Sequence, residues 1–363
     1  MPGKFKIVIS DLHLSAGYES EGNLLEDFSS DQEFAALLDE IAAESEREGV
    51  DVELIVNGDA FEMLQVPHVD SFDPLMLYEP EDYHSSSEAD SALKMALVID
   101  GHRPVFDALG RFLQVGPPRR CVTFIKGNHD LNIYWKAVQD QIRRALAASG
   151  GRKTLLSFEE RLISREGIYV EHGNQYADIM SQVETMEEPR DRDDPSQLAI
   201  PPGSWFVMDV FNRVERERYW IDGVKPITAL VWYALAFDFP FAAKAIATLI
   251  RALPGIIRDG FLPFDTEEAG VLDQDWQDPV QVEALASRYE SDMAFRAELN
   301  AELARVLSPG PESLSFDAGL EADMSEPVAM GDQVRRRLNS SLYAGAAKCA
   351  AESKAKLVTF GHT

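Results

Sequence analysis

Short runs of apolar and β-branched residues recur along the chain and predict five buried strands. The predicted strands are 6–10, 53–57, 121–126, 167–171 and 356–360. Continuous apolar runs of this length, without polar residues in alternation, are typical of strands covered on both faces. We therefore interpret these runs as buried strands.

Between these strands, apolar residues spaced three and four apart predict helices. The predicted helices are 31–47, 92–113 and 131–148. In the first of them Phe34, Leu37 and Leu38 lie on one helical face, and Gly49 follows as a stop signal. Strands that alternate with helices in this way predict an α/β fold.

The composition of the chain changes after Gly173. The following segment is first loop-like and then helical in pattern, and no strand-like run returns before 356–360. A chain of 363 residues exceeds the size of one ordinary core. We therefore expect a first core part at 1–173, an inserted acidic helical cap at 174–340 and the C-terminal core part at 341–363.

The net charge of −28 is unevenly distributed. Between Asp265 and Asp332, 17 acidic residues stand against three basic residues, which accounts for half of the net charge. An acidic surface repels the phosphate backbone of nucleic acids, so a nucleic-acid partner is not favoured. A solvated, solubilising face is the ordinary explanation of such acidity.

The only two cysteines, Cys121 and Cys349, stand far apart in apolar surroundings. They form neither a disulfide framework nor a CxxC metal site, which is typical of a reducing compartment. The amino terminus enters a predicted strand without the pattern of a signal peptide. These features predict a cytoplasmic protein.

An uncharged run at 227–237 raises the question of membrane contact. It is shorter than the roughly 20 apolar residues that a membrane span requires. The favoured interpretation is a pair of helices that pack inside the cap. Peripheral contact of the 226–262 region with a membrane surface is the alternative, since Trp232 and Tyr233 are suited to an interface.

Each predicted strand is followed by a small cluster of polar, ligand-type residues. In chain order the clusters are Asp11-Leu-His13, Gly58-Asp59, Gly127-Asn128-His129-Asp130, His172-Gly173 and Gly361-His362. Open α/β sheets gather ligands at the carboxyl ends of their strands, so we expect the clusters to meet. Each cluster alone is a weak signal, but five in this position predict a metal site.

The donor types are chemically consistent. Carboxylate, amide and imidazole groups suit Mn, Fe or Zn rather than a soft-metal site. Two divalent ions about 3.5–4 Å apart need a shared carboxylate, and Asp59 is the natural bridge. Such a pair activates water at neutral pH and clamps phosphate oxygens. The sequence therefore predicts a two-metal phosphoesterase.

Together these motifs resemble those of the calcineurin-like metallophosphoesterases. The family pattern is DxH, a GDxxE-like motif, GNH[DE], His and GHxH, and the resemblance covers 1–173 and 341–363. It implies a four-layer α/β/β/α sandwich with a large helical insertion. It also implies hydrolysis of a phosphomonoester, phosphodiester or diphosphate bond by a hydroxide that bridges two divalent ions, with Mn favoured.

The resemblance further implies a role for each residue. The first metal would be bound by Asp11, His13 and Asp59. The second metal would be bound by Asp59, Asn128, His172 and His362. His129 would stabilise the phosphate or protonate the leaving oxygen, and Asp130 would fix the orientation of His129. The second His of GHxH would fall one position beyond Thr363, which leaves three ligands for the first metal.

The segment 58–62, with sequence GDAFE, is similar to the GDxFE motif of the UDP-2,3-diacylglucosamine pyrophosphatase branch. That branch carries a helical insertion that holds lipid chains, but it has Arg where His129 stands. We therefore expect a phosphorylated small-molecule or lipid-linked substrate. A nuclease of the same fold and a scaffold that has lost hydrolysis are the alternatives; the acidic cap disfavours the first and the ligand set disfavours the second.

Overall fold

The computed structural model describes residues 4–76, 78–177, 181–215, 234–235, 238–243, 246–247, 276, 278–307 and 330–362. The chain divides into two compact units. The first comprises Met1–Ala177, Ser181–Met208 and Ser341–Thr363, and the second comprises Asp178–Met180 and Asp209–Ser340. Ser181–Met208 thus belongs to the first unit, although the sequence pattern assigns it to the insertion. The interpretation of 174–340 as an inserted cap stays a prediction.

Two sheets form the centre of the first unit. The four-stranded sheet is parallel throughout, in the order β1 (Lys4–Ile9), β2 (Asp51–Asn57), β3 (Arg120–Ile125) and β4 (Leu156–Glu159). The three-stranded sheet consists of β5 (Leu162–Arg165), β6 (Ile168–Glu171) and β7 (Leu357–Phe360). In this second sheet β6 is antiparallel to β5 and parallel to β7.

Helices account for most of the remaining regular structure. They are α1 (Asp31–Glu48), α2 (Glu81–His84), α3 (Glu88–Gly101), α4 (Arg103–Phe112), α5 (Lys136–Ala145), α6 (Pro202–Phe206), α7 (Asn212–Glu215), α8 (Pro279–Ser291), α9 (Met293–Leu307) and α10 (Met330–Ser353). The coarse prediction of an α/β fold is confirmed, and the structure shows that its four-stranded sheet is parallel.

Alternate residues of β2 contact different layers, as the pleat of a strand requires. Leu54 and Val56 are buried in the cluster that includes the apolar residues of α1, α3, α4 and α5. Ile55 points the other way and packs with Ile163 and Val170 of the second sheet. The four-stranded sheet is therefore covered on both faces, which is why β2 and β3 contain continuous apolar runs.

A buried carboxylate links the two sheets. Glu53 of β2 accepts hydrogen bonds from Lys6 Nζ at 2.6 Å, Thr123 Oγ1 at 3.0 Å and Arg165 Nη2 at 2.5 Å, the last from β5. Burial alone would raise the pKa of Glu53, but these donors outweigh it and lower that pKa to about 2. Glu53 is thus ionised and structural, and it lies at the amino end of its strand.

The structure differs from the predicted elements in three places. In the predicted helix 131–148, Leu131–Tyr134 forms a 3₁₀ turn and α5 comprises only Lys136–Ala145. The short strands β4 and β5 were missed, because LSFE and LISR are half polar and only four residues long. The predicted helix 92–113 is two helices, α3 and α4, that meet at His102. Pro104 explains the break, since a proline cannot continue a helix but suits its first turn.

The described part of the second unit is helical. Asp278 caps α8 by accepting a hydrogen bond from Val280 N at 2.9 Å, and Leu285 of α8 and Phe295 of α9 are buried. The segment 226–262, for which membrane contact was the alternative, lies for the most part outside the described residues. Within the described ranges, no helix has both the length and the hydropathy that a membrane span needs.

His102 is buried between two carboxylates. Its Nδ1 lies 2.8 Å from Asp31 Oδ1, and its Nε2 lies 3.0 Å from Glu26 Oε2. Glu26 also accepts a hydrogen bond from Gly17 N at 2.6 Å. Burial alone would lower the pKa of His102, but the bonds to Asp31 and Glu26 outweigh it and raise that pKa to about 9. Both ring nitrogens therefore donate, and the imidazolium joins α1, α4 and the loop after β1.

We predict that replacing His102 with Gln removes a pH-dependent part of the stability. A raised folded-state pKa gives stabilisation that is complete below the ordinary pKa of about 6.5 and is lost as the pH rises through about 9. The difference in unfolding free energy between wild type and His102→Gln should therefore shrink by about 3 kcal/mol over that range. Denaturant unfolding at several pH values measures it. A slope in His102→Gln equal to that of the wild type would contradict the assignment.

Candidate metal centre

The predicted ligand residues lie at neighbouring strand ends in the first unit. Asp11 N donates to Gly58 O at 3.1 Å and His13 N donates to Asp59 O at 2.9 Å, which joins the segments that follow β1 and β2. His362 N, after β7, donates to Asp11 Oδ2 at 3.1 Å. The structure therefore brings together segments that are distant in sequence, as the sheet topology predicts.

Asp59 is the central residue of this group. Its buried carboxylate accepts a hydrogen bond from His129 N at 2.9 Å through Oδ1. Its Oδ2 lies 3.0 Å from His172 Nε2 and 3.9 Å from His13 Nε2. Burial alone would raise the pKa of Asp59, but the charges of His172, His129 and His13 hold it well below its ordinary value. Asp59 is therefore ionised in the interior.

The hydrogen bonds of His172 determine which of its nitrogens is available to a metal. Nδ1 lies 3.0 Å from the carbonyl oxygen of Asn57, so this nitrogen carries a proton and donates it. Nε2 faces Asp59 Oδ2 at 3.0 Å and Asn128 Oδ1 at 3.2 Å. When His172 is neutral, the lone pair of its Nε2 therefore points toward two oxygen acceptors, Asp59 Oδ2 and Asn128 Oδ1.

Three converging acceptors require a cation between them. Without a metal that cation is a proton: burial would lower the pKa of His172, but the charge of Asp59 outweighs it and raises that pKa to about 9. A metal ion would take the place of this proton. A ligating histidine whose other nitrogen donates to a backbone carbonyl is the usual arrangement at metal sites. The donor set around His172 therefore fits a divalent ion.

Among the described residues, the groups of side chains that can hold a metal all lie in this region. They are Asp11 with His13 and Asp59, Asp59 with His172 and His362, and His13 with Glu62 and His129. Within each group the ligand atoms lie within 4.8 Å of one another. The first two groups share Asp59, as a bridging carboxylate requires. The number and identity of the ions stay predictions.

Several of the predicted ligands have an unusual backbone conformation. Asp11, His13, Asp59 and His362 have positive φ angles of 55°, 51°, 49° and 57°. This left-handed conformation costs roughly 1–2 kcal/mol for a residue with a Cβ, and it persists where the surroundings enforce it. Local strain of this kind clusters at functional sites. Its presence at four predicted ligands supports a functional role for this region.

Glu62 contacts two of the predicted site residues with a single oxygen. Oε2 lies 2.7 Å from His13 Nδ1 and 2.6 Å from His129 Nδ1. The two imidazole rings meet edge to face with centroids 4.9 Å apart. Burial alone would lower the pKa of His129, but the charges of Glu62 and Asp59 outweigh it and raise that pKa to about 9. His129 is therefore a protonated, half-buried group beside two buried carboxylates.

The structure corrects the role predicted for Asp130. Its buried carboxylate accepts hydrogen bonds from Ala60 N at 2.8 Å and Gly127 N at 2.6 Å, and Glu62 is the carboxylate that contacts His129. Asp130 thus holds the segments after β2 and β3 together. Burial, followed by the charge of Asp59, raises its pKa to about 6. The physical reason is side-chain direction. Although Asp130 follows His129 in sequence, its carboxylate points to the backbone N–H groups of Ala60 and Gly127 and not to the imidazole ring of His129.

Glu62 is the residue that the site predictions missed. It occupies the last position of the 58–62 segment GDAFE, so the signal was present in the motif. The motif does not reveal which residues this glutamate contacts, because only the fold brings it to His13 and His129.

Two glycines of the motifs are required by close approach. A Cβ on Gly58 would lie 2.3 Å from His172 Nδ1. A Cβ on Gly127 would lie 2.1 Å from Asp59 Oδ1 and 2.6 Å from Asp59 N. Neither neighbour is the free end of a flexible side chain, so the centre would have to move to admit a methyl group.

Comparisons of the chain with protein-family models, curated proteins and solved structures found no match. The relation to the calcineurin-like metallophosphoesterases is therefore a resemblance carried by the five motifs.

We predict that Gly127→Ala disturbs the centre. The added methyl group should lower the unfolding free energy by about 1–3 kcal/mol, as overpacking does, and should displace Asp59 and so weaken Mn²⁺ binding. Thermal unfolding and titration calorimetry measure the two effects. Gly151→Ala is the matched control, because a Cβ there meets no atom within 4 Å. Identical behaviour of the two variants would show that the close approach at Gly127 is unimportant.

Proposed function

We propose that this chain is a two-metal phosphoesterase that hydrolyses a phosphomonoester, phosphodiester or diphosphate bond. The observation that carries the proposal is the position of the buried Asp59 carboxylate. It lies between His13 and His172, beside the Asn128 oxygen that His172 Nε2 contacts. Each of these four residues lies in a segment that follows a different strand. A charged group surrounded by metal-binding side chains is expected where a bridging ligand is needed.

The proposed ligand sets are those of the sequence-based expectation. Asp11, His13 and Asp59 would hold one ion, and Asp59, Asn128, His172 and His362 would hold the other. The donors suit Mn, Fe or Zn, and Mn is favoured. Two such ions, when bound, supply Lewis acidity that activates water and neutralises charge on phosphate oxygens.

The side chains of the protein would bind the phosphate and supply the proton. Nδ1 of His129 is taken by Glu62, so Nε2 is the nitrogen left to hydrogen-bond a phosphate oxygen or to protonate the leaving oxygen. The raised pKa of His129, about 9, keeps this proton available at neutral pH. Asp59 provides fixed negative charge, and its Oδ1 also positions the His129 backbone at 2.9 Å.

We also propose the finer architecture, a four-layer α/β/β/α sandwich. On β6, Val170 packs toward the four-stranded sheet, whereas Glu171 accepts a hydrogen bond from Tyr176 Oη at 3.2 Å. The hydroxyl of Tyr176 also lies 3.1 Å from Cys349 Sγ of α10. These contacts support α10 as the helix that covers the outer face of the second sheet.

The substrate is proposed from the resemblance and the charge. A phosphorylated small molecule or a lipid-linked phosphate is favoured over nucleic acid, because the chain carries a net charge of −28. A cytoplasmic location, with contact at a membrane surface as the alternative, belongs to the same proposal.

Asp59→Asn should abolish both metal content and turnover. The amide cannot supply the bridging negative charge, so neither ion is held. Elemental analysis and a panel of p-nitrophenyl phosphate, bis-p-nitrophenyl phosphate, diphosphates and single-stranded DNA measure the result. Glu53→Gln, at an equally buried carboxylate on β2, should keep both properties. Near-normal turnover in Asp59→Asn would end the two-metal proposal, preference for DNA would favour the nuclease, and a metal-loaded wild type without turnover would favour the scaffold.

His129→Ala should keep the metals and lose rate. Proton donation by a positioned group contributes about 10²–10⁴-fold, and kcat should fall within that range. The effect should be smaller for a substrate whose leaving group is a good one, such as p-nitrophenolate, because that oxygen needs no proton. Loss of metal in this variant, with the rate restored by added metal, would instead assign His129 to metal binding.

A further inference from the structure

Glu62 connects two groups to which the proposed function gives different tasks. A single oxygen, Oε2, contacts His13 Nδ1 at 2.7 Å and His129 Nδ1 at 2.6 Å. His13 is a proposed metal ligand through its other nitrogen, whose distance to Asp59 Oδ2 is 3.9 Å. His129 is the proposed proton donor. One side chain therefore sets the ring orientation of both.

The main chain around Glu62 is held by the same two segments. Glu62 N donates to Leu14 O, next to His13, at 2.9 Å, and Met63 N donates to His129 O at 3.3 Å. The buried Nζ of Lys94 donates to Met63 O at 3.1 Å. Backbone and side chain of this short segment thus bind both histidine segments, and Lys94 anchors it from behind.

Both contacts depend on the charge of the carboxylate. The Glu62 side chain is 5% exposed, so bulk water cannot replace either bond. A carboxylate has acceptor sites for two donors on one oxygen, and charge-assisted bonds of this length are among the stronger ones. A glutamine has the same size, but its neutral oxygen accepts more weakly and its amide group donates.

We propose that Glu62 is a positioning residue that couples metal binding through His13 to proton donation by His129. The inference rests on the proposed function. Metal binding and proton donation then depend on the same side chain. A change at Glu62 therefore alters both, whereas a change at His129 alters only proton donation.

The test is Glu62→Gln in the full chain. Loss of an outer carboxylate typically weakens metal binding by about 10–100-fold, and Mn²⁺ titration calorimetry should show a loss of that size. At saturating Mn²⁺, kcat toward the best ester of the panel should fall by about 10²–10⁴-fold, with KM little changed. The double variant Glu62→Gln with His129→Ala should have the kcat of His129→Ala alone but the metal affinity of Glu62→Gln.

Two further variants separate positioning from stability. Glu53→Gln also removes a buried carboxylate with three donors, so it should lower the melting temperature and leave Mn²⁺ affinity and kcat unchanged. Glu62→Asp keeps the charge on a shorter side chain and should recover part of both properties, and it replaces Glu62→Gln should the latter not fold.

Outcomes that refute the coupling differ from those that refute the proposed function. A wild-type protein that binds no Mn²⁺ and hydrolyses no ester refutes the function, and the coupling with it. A wild type that does both, combined with a Glu62→Gln variant that loses only one of them, refutes the coupling alone. Equal losses of Mn²⁺ affinity and kcat in Glu53→Gln and Glu62→Gln would show that Glu62 has only a structural role.

Discussion

An ionised carboxylate in the interior, Asp59, is the constraint on which the rest of this region depends. Removing an isolated carboxylate from water is costly, so it must be paired or must coordinate a metal. The structure provides His172 Nε2 at 3.0 Å and His129 N at 2.9 Å as partners. The positive φ at Asp59 and the absence of a Cβ at Gly127 are further consequences, since both serve to seat this group.

The parallel sheet places the partners. Ile9 of β1 is paired with Val56 of β2, and Asn57 of β2 is paired with Ile125 of β3, so the three strands end at nearly the same level. The residues that follow each strand therefore leave the sheet side by side. Packing of Ile55 against Ile163 and Val170 brings the second sheet, and with it His172, to the same edge.

The buried acids near the centre have separate tasks because their surroundings differ. Asp59 is surrounded by histidines and stays ionised, whereas Asp130 accepts only two backbone hydrogen bonds beside Asp59, and its pKa rises to about 6. Glu62 has a histidine on each side, and its pKa falls to about 2, although burial opposes the fall. Neighbouring charges, more than burial, distinguish the three carboxylates.

The sequence by itself determined the α/β class, five of the seven strands that the described residues form, and the residues that meet at the ends of those strands. Those features follow from apolar runs and from ligand-type residues after them, which are local properties of the chain. Two strands were not predicted, because β4 and β5 are too short and too polar to form an apolar run. The break between α3 and α4 at His102 was not predicted either.

Only the tertiary structure decided which side chains form hydrogen bonds with one another. Asp130 is adjacent to His129 in sequence and was expected to orient it, yet Glu62, which lies 67 positions away, makes that contact at 2.6 Å. Likewise, the tautomer of His172 depends on the carbonyl oxygen of Asn57, which lies 115 positions away. The physical reason is that residue type and spacing specify which donors and acceptors exist, whereas hydrogen bonds depend on distance and direction, and these arise from the packing of the two sheets.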